Sequence, residues 1–234
     1  VVEGPLPPDD SPAQADLLLA FRRELERTYE QIEALLWLTT QYRFRASLPP
    51  MRKWAISPDF ANLLAGVIRR QRPQTIVELG GGVSTLIAGY ALEACGGGTL
   101  ISVDHAEQFT EAARRQAAEH GLEAAIRFIT APLTPIALGG AIWQWYDPSR
   151  LALPPAIDLL VVDGPPQQDN PQPLARYPAL PVLFEALRPG ALIVLDDADR
   201  ADETAIVARW LAEFPVTQVE RIATEKGAVI LQRA

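Results

Sequence analysis

Apolar residues recur along this chain with two different periods, and the change from one to the other divides it. Leu18, Phe21, Leu25, Tyr29, Ile32 and Leu36 fall at helical spacing, with Arg22, Arg23, Glu24, Glu26, Arg27 and Glu30 on the other faces. That spacing predicts one long amphipathic helix beginning near Ala13, preceded by a proline- and acid-rich lead-in from Val1 to Pro12. Its apolar stripe must be covered, either by the rest of the chain or by another subunit. The mixed signs on its polar face do not suit a membrane surface. Ser57-Pro58-Asp59 then reads as N-cap, first helical residue and early acid of a helix running to about Arg70.

From residue 75 short apolar runs alternate with helical stretches, the rhythm of a parallel sheet covered by helices. Thr75 to Leu79 reads as a buried strand running straight into Gly80-Gly81-Gly82, after which Ser84 can cap a helix continuing through Leu92. A second strand, Thr99 to Val103, ends in Asp104, and a helix from about Ala106 to His120 is closed by Gly121. Ala125 to Ile129 is the next strand, and Ile157 to Val162 is another, ending in Asp163. Leu174 to Leu187 reads as a helix interrupted near Pro178 and Pro181. The strand Ala191 to Leu195 finishes in Asp196-Asp197, and a helix from Ala201 to Phe214 follows. Two last strands, Thr217 to Ile222 and Ala228 to Leu231, are joined by a hairpin turn at Glu225-Lys226-Gly227.

Composition narrows the partners. A net charge of -8 argues against general affinity for nucleic acid or anionic lipid. The single cysteine, Cys95, excludes an intrachain disulfide and a multi-cysteine zinc site. No apolar run approaches membrane-spanning length, and Val1-Val2-Glu3-Gly4 shows no signal-peptide pattern, which makes the cytoplasm the default location. The absence of an initial methionine leaves open a processed or truncated start.

The glycine turn carries the first chemical signal. Three glycines let a ligand press against bare main chain, and the following helix offers free N–H groups at its positive end, so the turn suits a polar or anionic small molecule. A dinucleotide fingerprint fails because Thr85 stands where the third glycine belongs, and a Walker loop fails for want of a lysine. Asp104, at the end of the second strand, can accept hydrogen bonds from both hydroxyls of a ribose. The motif VELGGGVST and this strand-terminal acid resemble those of the class I S-adenosylmethionine-dependent methyltransferases, over roughly residues 57 to 233. The resemblance implies an α/β fold, a Rossmann-like seven-stranded mostly parallel sheet with an antiparallel last strand, helices on both faces and an N-terminal helical extension. It divides the chain into an extension with a lid segment, 1–56, and a cofactor-binding methyltransferase domain, 57–234. Glu78, Gly80, Gly81, Gly82, Asp104 and Asp163 become expected S-adenosylmethionine contacts, with Ser84 and His105 nearby and Ala131 beside the adenine.

The second signal is acidic. Neighbouring strands bring Asp163, Asp196 and Asp197 to one edge of the sheet, where three carboxylates repel unless something positive lies between them. Mg²⁺ or another divalent cation is the simplest answer; the alternative is that Asp196 and Asp197 cap the next helix and Asp163 bonds to backbone. The arrangement is similar to the catechol type of metal-dependent O-methyltransferase, which makes Asp163, Asp196 and Asp197 both metal ligands and catalytic residues. Those enzymes commonly carry a lysine where this chain has Pro166, so a base would come from the metal, Asp199, Tyr146 or a histidine. Arg176 and Arg200 lie near the same rim, either to hold an acceptor anion or, the more usual role, to neutralise aspartates. Trp143, Trp145 and Tyr146 within Pro135–Pro155 form an acceptor wall or seal the domain edge. The segment Tyr42–Trp54 is a lid or a connector with Trp54 anchored in the core.

The expected activity is therefore methyl transfer to a hydroxyl of a small molecule, a saccharide or natural product, in a protein that can dimerise through its N-terminal helix. A metal-dependent hydroxylase on the same fold and a non-catalytic cofactor-binding assembly partner are the alternatives.

Overall fold

The computed structural model describes residues 12–51, 53–167, 170 and 172–234, so the expected lead-in Val1 to Pro12 lies almost wholly outside the described residues. Helix α1 (Pro12–Gln41) is the long amphipathic helix, and α2 (Pro58–Gln71) follows it. Ser57 occupies the N-cap position of α2 but makes no side-chain cap bond; its hydroxyl turns to Asp59 instead. Alternating strands and helices then run β1 (Thr75–Leu79), α3 (Val83–Ala94), β2 (Thr99–Asp104), α4 (Glu107–Glu119) and β3 (Ile126–Thr130). Where one long insertion was expected, the chain forms a separate hairpin of β4 (Leu133–Leu138) and β5 (Ala141–Tyr146). It returns as β6 (Ile157–Val162), a short α5 (Ala179–Leu183), β7 (Leu187–Asp196), α6 (Ala201–Glu213), β8 (Val216–Ile222) and β9 (Ala228–Arg233).

The main sheet has seven strands in the order β3-β2-β1-β6-β7-β9-β8. Strands β1, β2, β3, β6 and β7 pair in parallel, and β9 runs antiparallel between β7 and β8, so the reversed C-terminal strand of the expected fold is present. Because the chain winds outward from β1 to β3 and then crosses back to β6, the ends of β1 and β6 form the topological switch point, where α/β sheets place ligands. One apolar core joins α2, α3 and the end of α1 to the sheet; the other packs the β4–β5 hairpin, α5 and α6 on the opposite face.

Two expectations are corrected. The helix read over Leu174–Leu187 shrinks to five residues, since Pro178 and Pro181 supply no N–H; Pro181 fits only because it lies in the first turn. The released residues 174–178 form turns, with Leu174 at a φ of 58°. Strand β7 also begins earlier than read, at Leu187, accommodating Arg188-Pro189-Gly190 through a register shift against β6 between Ile157 and Leu159. Among the described residues, no helix is long and apolar enough to cross a membrane.

The turn at 174–178 is fastened to α6. Trp210, fully buried, donates its indole N–H to the carbonyl of Tyr177 at 2.9 Å, and the backbone N–H of Leu174 donates to Asp202 Oδ2 at 3.1 Å. Replacing Trp210 by Phe keeps most of the bulk and strands that buried carbonyl; urea unfolding should show a loss of about 1–3 kcal/mol.

Candidate functional site

The glycine turn owes its shape to crowding more than to flexibility. Gly80 has a φ of +86°, and a Cβ there would lie 2.9 Å from the backbone nitrogen of Gly164. The ends of β1 and β6 thus touch main chain to main chain. Gly81 has no room for a side chain because Ser102 Oγ would sit 2.3 Å from its Cβ, whereas a Cβ on Gly82 would meet nothing within 4 Å. Gly82, not Ser84, is the N-cap of α3; its N–H donates to Thr85 Oγ1 at 3.0 Å, and Ser84 is buried within the first helical turn. The expected cap at Ser84 is therefore displaced by two residues.

Glu78 ties this turn together from beneath. It is 1% exposed and accepts hydrogen bonds from Thr85 Oγ1 and, at 3.0 Å, from Ser102 Oγ, while its Oε1 remains buried without a partner. Burial raises its pKa above the ordinary 4.5, opposed by the hydrogen bonds from Thr85 and Ser102.

Above the turn opens a cavity of about 400 Å³, a volume suited to a small-molecule ligand, lined by Gly80, Gly81, Gly82, Asp104, His105 and Asp163. Asp104 Oδ1 accepts the N–H of Ala106 at 3.0 Å and lies 3.2 Å from His105 Nδ1. Phe109, Ala112, Ala113 and Gln116 of α4 form one wall. The sequence carried a signal for that wall, a lone aromatic at 109 followed by small residues three and four positions on, on an otherwise polar helix. Ala131 is not brought there: it is fully buried, with its N–H donating to the carbonyl of Asp104 at 2.8 Å.

A second cavity of about 380 Å³ adjoins the first, sharing Trp54, Asp163 and Pro166 and continuing to Gln167, Arg176, Asp197 and Arg200. Trp54 is 68% exposed, so it is not anchored in the core; it stands at the junction of the two cavities. The aromatic hairpin does not supply that wall. Trp143, Trp145 and Tyr146 are buried in the core and seal the sheet, the second of the two readings.

Asp163, Asp196 and Asp197 do converge, each offering an oxygen within 4.8 Å of the others'. Arg176, 5% exposed, joins them: Nη2 lies 3.2 Å from Asp163 Oδ1 and 2.8 Å from Asp197 Oδ2, and Nη1 lies 3.6 Å from Glu203 Oε1. Arg200 Nη1 reaches Asp197 Oδ2 at 2.9 Å, and Lys226 Nζ stands 3.7 Å from Asp197 Oδ1. Neither Asp196 nor Asp197 caps α6, whose N-cap is Arg200. Both oxygens of Asp196, fully buried, and Oδ1 of Asp197 have no hydrogen-bond partner. Burial, then the neighbouring Asp163 and Asp197, push the Asp196 carboxyl well above its usual range. Of the proton acceptors considered, Asp199 is taken by Arg221 at 2.8 Å and His120 by the Tyr90 hydroxyl at 2.8 Å, away from this rim.

A sequence-family model described as "Methyltransferase domain" matches residues 77–198, more than half of the chain and the whole stretch from β1 to the acidic rim. The chain belongs to this methyltransferase family. No curated protein matches it in sequence. Its fold is that of solved methyltransferases: the Podospora anserina methyltransferase PaMTH1, bound to S-adenosylhomocysteine, at 13% identity with both chains fully covered and a TM-score of 0.62; a Bacillus cereus O-methyltransferase, also with that product, at 16% identity, 87% of this chain and 90% of that one covered, TM-score 0.59; and the O-methyltransferase TomG from Streptomyces achromogenes, at 18% identity, 77% and 82% covered, TM-score 0.56.

The buried carboxylate under the glycine turn gives this methyltransferase a testable pH signature. A carboxyl whose folded pKa exceeds its unfolded value stabilises the fold fully below the unfolded pKa, and that contribution is lost as pH rises through the folded one. Glu78→Gln should therefore remove part of the stability loss that the parent protein shows above pH 4.5, read as a flatter urea midpoint from pH 4.5 to 8.

Proposed function

We propose that this methyltransferase moves the methyl group of S-adenosylmethionine to a hydroxyl of a small-molecule acceptor. The observation that carries the reading is the pair of adjoining cavities, one at the glycine turn and Asp104, the other at the acidic rim, sharing Asp163, Pro166 and Trp54. A donor in the first and an acceptor in the second would face each other without crossing solvent. Solved structures of the same fold that hold S-adenosylmethionine or its product support this donor.

In this reading Asp104 holds the ribose hydroxyls, the main chain at Gly80 to Gly82 takes the charged amino-acid end, and Phe109 with Ala112 and Ala113 faces the base. His105 adds a polar contact beside Asp104, and Glu78 and Ser84 shape the turn from within. The acceptor oxygen forms a bond to the methyl carbon as the carbon–sulfur bond breaks, and the hydroxyl proton is released, leaving a neutral thioether. Holding the two reactants in line accounts for most of such a rate enhancement.

The acidic rim fits a divalent cation such as Mg²⁺. Asp163, Asp196, Asp197 and Glu203 set four carboxyl groups against three cations, Arg176, Arg200 and Lys226, and four buried oxygens, both of Asp196 and one each of Asp197 and Glu203, lack a donor. Asp163, Asp196 and Asp197 would hold the ion with hard oxygen ligands. When bound, it supplies Lewis acidity that lowers the pKa of a hydroxyl beside it. Saccharides and natural products bearing hydroxyls are the acceptor class proposed, and nucleic acid is disfavoured by the net charge of -8.

The N-terminal helix supports a homodimer. Its C-terminal half docks on α2 through buried Leu38 and a bond from Asn62 to the carbonyl of Ala34, whereas Leu18, Phe21, Leu25, Tyr29 and Leu36 stay more than half exposed. Arginines and glutamates interleave beside this stripe, Arg22 bonding Glu26 at 3.0 Å, a mixture that can pair with its own antiparallel copy. Leu25→Asp should shift the sedimentation coefficient to that of a monomer; a parent protein already monomeric at tens of micromolar would end the dimer reading.

Two variants separate the cavities. Asp104→Ala should weaken S-adenosylhomocysteine binding about 10- to 100-fold in calorimetry, the scale of losing charge-assisted hydrogen bonds. Asp196→Ala should abolish stimulation by divalent cations and keep cofactor affinity within about twofold, since no atom of Asp196 lines the first cavity. Formation of S-adenosylhomocysteine from pooled hydroxylated acceptors distinguishes transfer from a hydroxylase or a non-catalytic partner; equal loss of both affinities in either variant would contradict the division of labour.

A further inference from the structure

We infer that Arg176 is the positioning residue of the acidic rim: it grips one oxygen from each flanking aspartate and thereby aims the remaining oxygens at a divalent cation. The inference rests on the cation reading above. A single terminal nitrogen, Nη2, bridges Asp163 Oδ1 and Asp197 Oδ2. The other, Nη1, donates to the backbone carbonyl of Asp196 at 3.1 Å and faces Glu203 at 3.6 Å. One planar fork therefore touches the segment carrying each of the three aspartates.

What Arg176 leaves alone is as telling. Oδ1 of Asp197, which Lys226 faces at 3.7 Å, and both oxygens of Asp196 are buried and receive no hydrogen bond, so the guanidinium does not satisfy the cluster. It halves the bonding capacity of Asp163 and Asp197 in a fixed sense, as groups outside the ligand set commonly do for metal-binding carboxylates. The fork is itself immobilised. Arg176 lies in a turn closed by Tyr177 N–H to Leu174 O at 2.8 Å and pinned to α6 by Trp210 at one end and Asp202 at the other. A lysine ammonium could neutralise the rim, but it lacks the second terminal nitrogen that holds the Asp196 carbonyl, faces Glu203 and so fixes Nη2 in place between the two carboxylates.

Arg176→Lys separates aim from charge, because net charge is unchanged. In calorimetric titration with Mn²⁺ alone, the folded variant should bind about 10- to 100-fold more weakly than the parent protein. An arginine of merely structural value would lower the melting temperature and leave Mn²⁺ affinity as it was; that result overturns the inference while the cation reading stands. If the parent protein itself binds no Mn²⁺, both fall together. Should Arg176→Lys fail to fold, the parent protein decides: on saturation with Mg²⁺ the Arg176 guanidinium N–H signals in ¹⁵N-edited spectra should stay slowly exchanging, and their loss would show that the ion displaces Arg176.

Discussion

Four carboxylates brought to one dry rim are the constraint that the rest of this structure answers. Asp196 and Asp197 are at most 2% exposed, and Glu203 is 6% exposed. Unpaired, each buried charge would cost several kcal/mol, and a group so placed takes up a proton instead. The chain responds with three cations drawn from three separate elements: Arg176 from the turn before α5, Arg200 from the N-cap of α6 and Lys226 from the β8–β9 turn. None comes from β6 or β7, the strands that bring the aspartates. The rim is thereby assembled by tertiary packing, and its geometry is only as firm as the contacts that hold those three elements.

Those contacts are specific. Lys226 donates to the carbonyl of Ala55 at 3.0 Å as well as facing Asp197, so the turn that neutralises the rim also holds the segment bearing Trp54. Asp59 accepts the N–H of Glu225 at 2.7 Å and an amide hydrogen of Gln31 at 2.8 Å, binding the same turn to α2 and α1. The N-terminal extension is further secured where Arg45 stacks over Tyr90 at 5.1 Å and its N–H donates to the Tyr90 hydroxyl. Trp54, one of the three residues shared by both cavities, is therefore positioned by an extension that precedes the matched residues.

The parts of the fold legible in the sequence were those with a strong period or an unambiguous breaker. The strands ending in Leu79, Asp104, Val162 and Asp196 were readable because parallel strands buried on both faces give continuous apolar runs. The turn at Glu225-Lys226-Gly227 was readable because it carries a glycine, the residue suited to the φ of 74° found at Gly227. The β4–β5 hairpin was not, since Pro135 and a mixed exposure pattern hide the alternation, and the aromatic residues that suggested a ligand wall are filling core instead. The convergence of the three aspartates followed from strand order alone. That Arg176 holds two of them needed coordinates, because separations of thirteen and twenty-one positions along the chain set no distance between side chains. Exposure of Trp54 was missed for a similar reason: an aromatic in a proline-ordered loop suits a core anchor and a cavity rim equally well.

Position 166, on the loop after β6, is a proline. A lysine there would place an ammonium on the loop after β6, next to the acid at its end. Proline removes both the charge and the backbone N–H, and in the structure Pro166 becomes an apolar partition common to the two cavities. The missing charge is not restored locally. It enters from across the rim, through Arg176 and Lys226, on the side of Asp163 and Asp197 that faces α6 and the last hairpin. An arginine with its guanidinium wholly engaged is a poor proton acceptor at any ordinary pH, so the change does more than move a cation. Under the proposed transfer, proline at this position offers no base, and Asp163 and Asp197 are the carboxylates that line the second cavity.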